Sequence, residues 1–237
     1  MFRQFKEAIG QRKIIHNNST RKVQDYCHSI IVNDDKENFI YKYRQESIKH
    51  TKEWHFIPPR ETLEICRMLI NASDSKDILN IRVHTGLAHY FFLSILDVDG
   101  TVESVDANLE LLHETEEEML DIMPDFNGHS ITTVQCPTTF LEVRHTEGKK
   151  YDFIFINDNP KNYALYYDLG IKLLRPGGFI VLTNILQSGK VAETRNTNET
   201  ITSIRRLNES IKNDQRCDNI ILNFNDGLHI IYKKKES

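Results

Sequence analysis

The run Tyr151-Asp152-Phe153-Ile154-Phe155-Ile156 is almost continuously apolar. Such a segment suits a strand covered on both faces in the middle of a parallel sheet, because a strand with one wet face would alternate. A helical stretch from Tyr163 to Leu174 follows, Pro176-Gly177-Gly178 stops it, and Phe179 to Leu182 reads as the next strand. The same alternation runs upstream. After Pro58-Pro59, a plausible helix start, come Leu63, Cys66, Met68, Leu69 and Ile70 in a helical stripe, then the short strand Ile78 to Ile81. A turn at Gly86 leads into the apolar helix Leu87 to Leu96, and Thr101 to Val105 alternates as a strand that ends at Asp106. An acidic helix over residues 108–123, a strand Ile131 to Val134 and a short helix Thr138 to Val143 complete the first half. A helix Thr197 to Lys212 and a hairpin, Ile220 to Phe224 with Leu228 to Tyr232 around Asn225-Asp226-Gly227, close the chain.

Strands that alternate with helices require crossover connections, so the expected architecture is α/β, Rossmann-like: a mostly parallel seven-stranded sheet with helices on both faces and a C-terminal antiparallel hairpin. In such a sheet a ligand lies beyond the carboxyl ends of the strands, where the strand order reverses. Residues 1–56 are polar with weak helical pattern (Phe2 to Ile15, then Phe39 to Ile48) and read as an N-terminal helical extension to a domain over 57–237.

Composition excludes other classes. Charged residues make up 27% of the 237, and the net charge of −4 gives no basic face for nucleic acid. No apolar run approaches the roughly 20 residues that span a bilayer, and the charged first ten residues lack a signal-peptide core. Cys27, Cys66, Cys136 and Cys217 form no C-x-x-C pair, so neither a zinc site nor a disulfide framework is expected, and the simplest compartment is the cytoplasm.

From residue 57 onward the motifs resemble, in order and spacing, the catechol/caffeoyl-CoA O-methyltransferases, a class I S-adenosylmethionine (SAM) family. The family's F-I-D-A-D-K-x-N-Y corresponds to Phe155-Ile156-Asn157-Asp158-Asn159-Pro160-Lys161-Asn162-Tyr163, its L-R-P-G-G to Leu174–Gly178, and its D-N-V-L-W-x-G-x-V to Thr183-Asn184-Ile185-Leu186-Gln187-Ser188-Gly189-Lys190-Val191. The resemblance implies SAM as cofactor, a small-molecule hydroxyl acceptor and a homodimer. It places the cofactor turn, E-[IV]-G-x-x-T-G-Y-S, at Asn80 to Ala88. Thr85 and Gly86 are kept; the acid is Asn80, the first glycine is Arg82, and His84 stands where an aromatic residue is usual. Arg82 is expected to point to solvent or to pair with a carboxylate such as Asp106. Asp106 itself ends the second strand, where related folds bind the ribose hydroxyls.

By the same resemblance, Asn157, Thr183 and Asn184 occupy the positions of the magnesium ligands, two aspartates and an asparagine. Only Asn184 is kept. Magnesium relies on carboxylates to offset its shed water, so two neutral replacements should remove most of the affinity. Asn157 also faces the cofactor. The lysine next to the methyl acceptor aligns with Pro160, which leaves Lys161, one place on, as the catalytic candidate. Trp54 is expected to pack ahead of the first core helix, and His89 to sit on a helix surface. Two readings stay open: a methyltransferase working without the usual metal, and a degenerate homologue that binds or scaffolds.

Overall fold

The computed structural model describes residues 23, 26–27, 29–30, 35–119 and 125–235. The expected helix within Phe2 to Ile15 lies outside them. The chain divides into two compact units, Met1–Asn38 and Phe39–Ser237. In the first, the described residues are helical.

The second unit is built on one seven-stranded sheet: β1 (Asp77–Ile81), β2 (Thr101–Asp106), β3 (His129–Val134), β4 (Tyr151–Ile156), β5 (Leu174–Leu182), β6 (Cys217–Leu222) and β7 (Leu228–Lys233). The spatial order is β3-β2-β1-β4-β5-β7-β6. The first five strands are parallel, while β7 runs antiparallel to both β5 and β6. Helices are α1 (Asp35–His50), α2 (Arg60–Ala72), α3 (Leu87–Ile95), α4 (Glu110–Met119), α5 (Pro137–Thr146), α6 (Tyr163–Leu173) and α7 (Glu199–Asn213).

The pleat divides the core in two. Ile78, Val102, Phe153, Phe155 and Val181 point to one face and join the apolar faces of α2 and α3 with Phe39, Ile40 and Tyr43 of α1. Leu79, Ile81, Ile154, Ile156, Ile180 and Leu182 point to the other, against α5, α6 and the α7 stripe Ile204, Leu207, Ile211. Asn198 caps α7, its side chain accepting from the Thr200 and Ile201 N–H groups.

Four expectations need correction. Pro176-Gly177-Gly178 does not separate helix from strand; β5 already begins at Leu174 and runs through it. Gly178 lies where a Cβ would strike the Asp152 carbonyl and the Leu174 side chain, and the β4–β5 register shifts between Tyr151 and Phe153. Beside this bulge, Arg175 bonds Asp152 (2.6 Å) and Asp77 (2.9 Å), so the motif ties three strands together at the end of the sheet away from Asp106. The hairpin strand begins at Cys217 and ends at Leu222, since pairing with β7 rather than apolar content sets its limits. The acidic helix starts at Glu110, whose N–H is accepted by Asn108, and its described part ends at Met119; Ile122 and Met123 lie outside the described residues. His89 is buried, not superficial: its ring bonds Ser104 and Ser130, both at 2.8 Å, linking α3 to β2 and β3.

Candidate active site

The strand order reverses between β1 and β4, and the segments leaving these strands and β2 meet there. After Ile81 the backbone turns through Arg82 (φ 74°) and His84 (φ 54°) to Gly86 (φ 87°), which starts α3. A Cβ on Gly86 would meet the Leu112 side chain and lie 2.8 Å from the Tyr43 hydroxyl. The turn is held from two sides. Tyr43 donates to the Thr85 carbonyl (2.8 Å), and the Val83 and His84 N–H groups both donate to Asp106 Oδ2 at 3.0 Å. Among the described residues Asp106 Oδ1 accepts only the Asn108 N–H, at 3.3 Å. A carboxylate offers about four acceptor positions, so one remains for a ribose hydroxyl. The nucleoside end of an adenosyl cofactor therefore fits the donor set.

The next residue along the turn from Ile81 is Arg82. The expected partner Asp106 is engaged by the turn's own backbone, and Arg82 pairs instead with Glu53 (2.8 Å) and, more weakly, Asp158 (3.5 Å). The guanidinium carbon lies 3.7 Å from the centre of the Phe56 ring. Glu53, Trp54, His55 and Phe56 thus form a strap over the turn. Within it the expectation for Trp54 fails: Trp54 is 68% exposed, and Phe56 is the buried member. His84 lies beneath, 4% exposed, with neither ring nitrogen bonded. Burial, aided by Arg82 and His55, pushes its pKa down to about 4 and keeps it neutral.

Asn157, Thr183 and Asn184 come together, all buried. Thr183 Oγ1 donates to Asn157 Oδ1 (2.7 Å); Asn157 Nδ2 donates to the Phe56 carbonyl (2.7 Å), and Asn184 Nδ2 to the His55 carbonyl (3.2 Å). The trio contains no carboxylate, and its amides point their donors at the strap. Among the described residues no group of three or more His, Cys, Asp or Glu could hold a metal. These residues do not fit a divalent cation. Lys161 is exposed on the one-turn helix Pro160–Asn162, where Asn159 caps its N–H.

A cleft of about 540 Å³ opens beside the trio, lined among others by Trp54, Arg82, Pro160, Asn184 and Lys190. The strap was missed from sequence. Its only signal was the aromatic cluster Trp54-His55-Phe56 behind an acid, which has no periodicity.

A sequence model of the O-methyltransferase family matches residues 26–234. The chain is 29% identical over 226 residues to "Probable caffeoyl-CoA O-methyltransferase 2" of Dictyostelium discoideum, an alignment covering 93% of this chain and 94% of that one. Among solved structures it is similar to an O-methyltransferase from Bacillus cereus in complex with SAH (S-adenosylhomocysteine), with TM-score 0.75, 20% identity and coverage of 90% and 97%. It is also similar to the O-methyltransferase TomG from Streptomyces achromogenes in complex with SAM, with TM-score 0.74, 17% identity and coverage of 90% and 96%. Family match and topology agree, and the chain belongs to the class I SAM-dependent O-methyltransferases of the caffeoyl-CoA/catechol type.

Proposed function

We propose that this protein transfers a methyl group from SAM to the hydroxyl of a small molecule without a divalent cation. The observation that carries the reading is the neutral trio: Asn157, Thr183 and Asn184 bond one another and two strap carbonyls and bring no carboxylate to hold magnesium. SAM supplies the electrophilic methyl group. In this reading Asp106 holds the ribose, the Arg82–Gly86 turn lies along the cofactor, and the cleft beside Pro160 and Asn184 orients the acceptor for in-line attack. Lys161, exposed on the Pro160–Asn162 turn, is the candidate for taking the hydroxyl proton, a role open only to its neutral amine.

Calorimetry with SAM and SAH, in EDTA and in magnesium, tests this, followed by turnover of phenolic acceptors in EDTA. Saturable binding and turnover that ignore magnesium are expected. Binding or turnover that requires the cation overturns the proposal. A second reading, a non-catalytic binding subunit, is favoured by Arg82, which lies where the cofactor's charged end would go. Failure of both SAM and SAH to bind selects it.

A further inference from the structure

The cleft holds a guanidinium that the fold does not require. Arg82 sits on left-handed backbone, which a residue with a side chain rarely adopts. Packing does not impose it, because a glycine would make the same turn freely. The side chain is nonetheless well placed. Only 17% of it is exposed, one face of the guanidinium is covered by Phe56, and its edge looks toward Glu53 and Asp158.

The two acids differ as partners. Asp158 is 3.5 Å away and already accepts the Tyr166 hydroxyl at 2.6 Å. Glu53 supplies the close contact, yet its side chain is 54% exposed, and its backbone N–H reaches only as far as Thr51 Oγ1. An exposed acid on a short strap is a weakly held partner for a cation buried on one face. The charges lining the cleft are Glu53, Arg82, Lys190 and Asp226. Asp226 accepts the Ser188 N–H, and Lys190 Nζ has no partner among the described residues. A single ligand carboxylate can take the Arg82 edge while the exposed Glu53 side chain turns to solvent, and the unpartnered Lys190 offsets its one added charge, whereas a dianionic phosphate would leave a negative excess.

We propose that Arg82 is the carboxylate-binding residue of this cleft, and that Glu53 holds the place of a ligand carboxylate until one arrives. This rests on the methyltransferase reading for the identity of the cleft. The carboxylate belongs either to the amino-acid end of the cofactor or to the acceptor, and an Arg edge pairs with both in the same two-point manner.

Calorimetry on the full chain and on Arg82→Gln and Glu53→Gln decides it with two ligand pairs. SAH is compared with 5′-methylthioadenosine, which lacks the amino-acid end, and 3,4-dihydroxybenzoate with catechol, which lacks the carboxylate. In one pair the carboxylate-bearing member should bind the wild type on the order of tenfold more tightly. That preference should widen in Glu53→Gln and vanish in Arg82→Gln, and the pair that shows it identifies the source. Equal binding within both pairs, or a preference that survives Arg82→Gln, overturns the proposal. Should Arg82→Gln not fold, Glu53→Gln decides alone: tighter binding confined to a carboxylate-bearing ligand supports the proposal, and unchanged binding overturns it. Methylthioadenosine binding without any carboxylate preference leaves the methyltransferase reading standing and removes this one. A dihydroxybenzoate preference with no adenosyl ligand bound does the reverse, and no binding by any of the four removes both.

Discussion

Putting carboxylates back into the neutral trio turns the metal argument into a measurement. In Asn157→Asp/Thr183→Asp the two new acids replace groups whose oxygens lie 2.7 Å apart, both in buried side chains. Relaxed to about 4 Å, two like charges at an effective dielectric of about 20 repel by roughly 4 kcal/mol. Against a typical stability of about 5–15 kcal/mol this is a large fraction, and for a chain of this size it lowers Tm by roughly 8–16 °C. Protonation of one acid would soften the loss and raise its pKa. Magnesium should reverse the loss. At about a hundredfold excess over its Kd, an ion bound only by the folded state contributes about 2.7 kcal/mol, or roughly 5–11 °C. Thermal unfolding of wild type and double variant, each in EDTA and in millimolar magnesium, reads all four values. The wild type should be indifferent to magnesium and the variant strongly responsive. A wild-type shift as large as the variant's, or a variant that ignores magnesium, would refute the reasoning that uncharged side chains at these positions leave no magnesium site.

Further outcomes follow from the turn and its surroundings. Gly86→Ala combines a left-handed backbone, costing about 1–2 kcal/mol, with overpacking against Leu112 and Tyr43, costing about 1–3 kcal/mol; chemical denaturation should show a loss of roughly 2–5 kcal/mol. Tyr43→Phe removes the bond to the Thr85 carbonyl and should cost about 1 kcal/mol in the same assay, with more rapid amide exchange in the 82–86 turn. His84, His89 and His229 all have pKa values pushed down to about 4 by burial, against about 6.5 unfolded. Above pH 6.5 each is neutral in both states and stability is independent of it. As pH falls from 6.5 toward 4 the unfolded chain alone takes up protons, so stability should drop, by up to about 3 kcal/mol per histidine. Denaturant midpoints measured across that window check this, and a flat profile would contradict the burial of these rings.

Much of this was legible in the residues because it is local. The apolar run of β4, the glycine punctuation at Gly86 and the acid at the end of β2 each declare themselves within a few positions, since period and φ preference are properties of short segments. The ordered motifs Phe155–Tyr163 and Thr183–Val191 likewise carried the family. Misreadings arose where long-range pairing overrode local habit. Pro176-Gly177-Gly178 looks like a helix stop, yet the backbone of β4 draws it into the sheet. His89 looks like a surface residue until Ser104 and Ser130 supply its partners.

The amino-acid order by itself determined the alternating α/β layering, the glycine turn after β1 and the absence of carboxylates at residues 157, 183 and 184, because each is written in neighbouring residues. Only the tertiary structure decided what took their place. Asn157 bonds a carbonyl 101 positions away, and Arg82 an acid 29 positions away. No periodicity reports such distances; the strap Glu53–Phe56 lying across the ends of β1 and β4 brings them together and sets the charge that a ligand would meet.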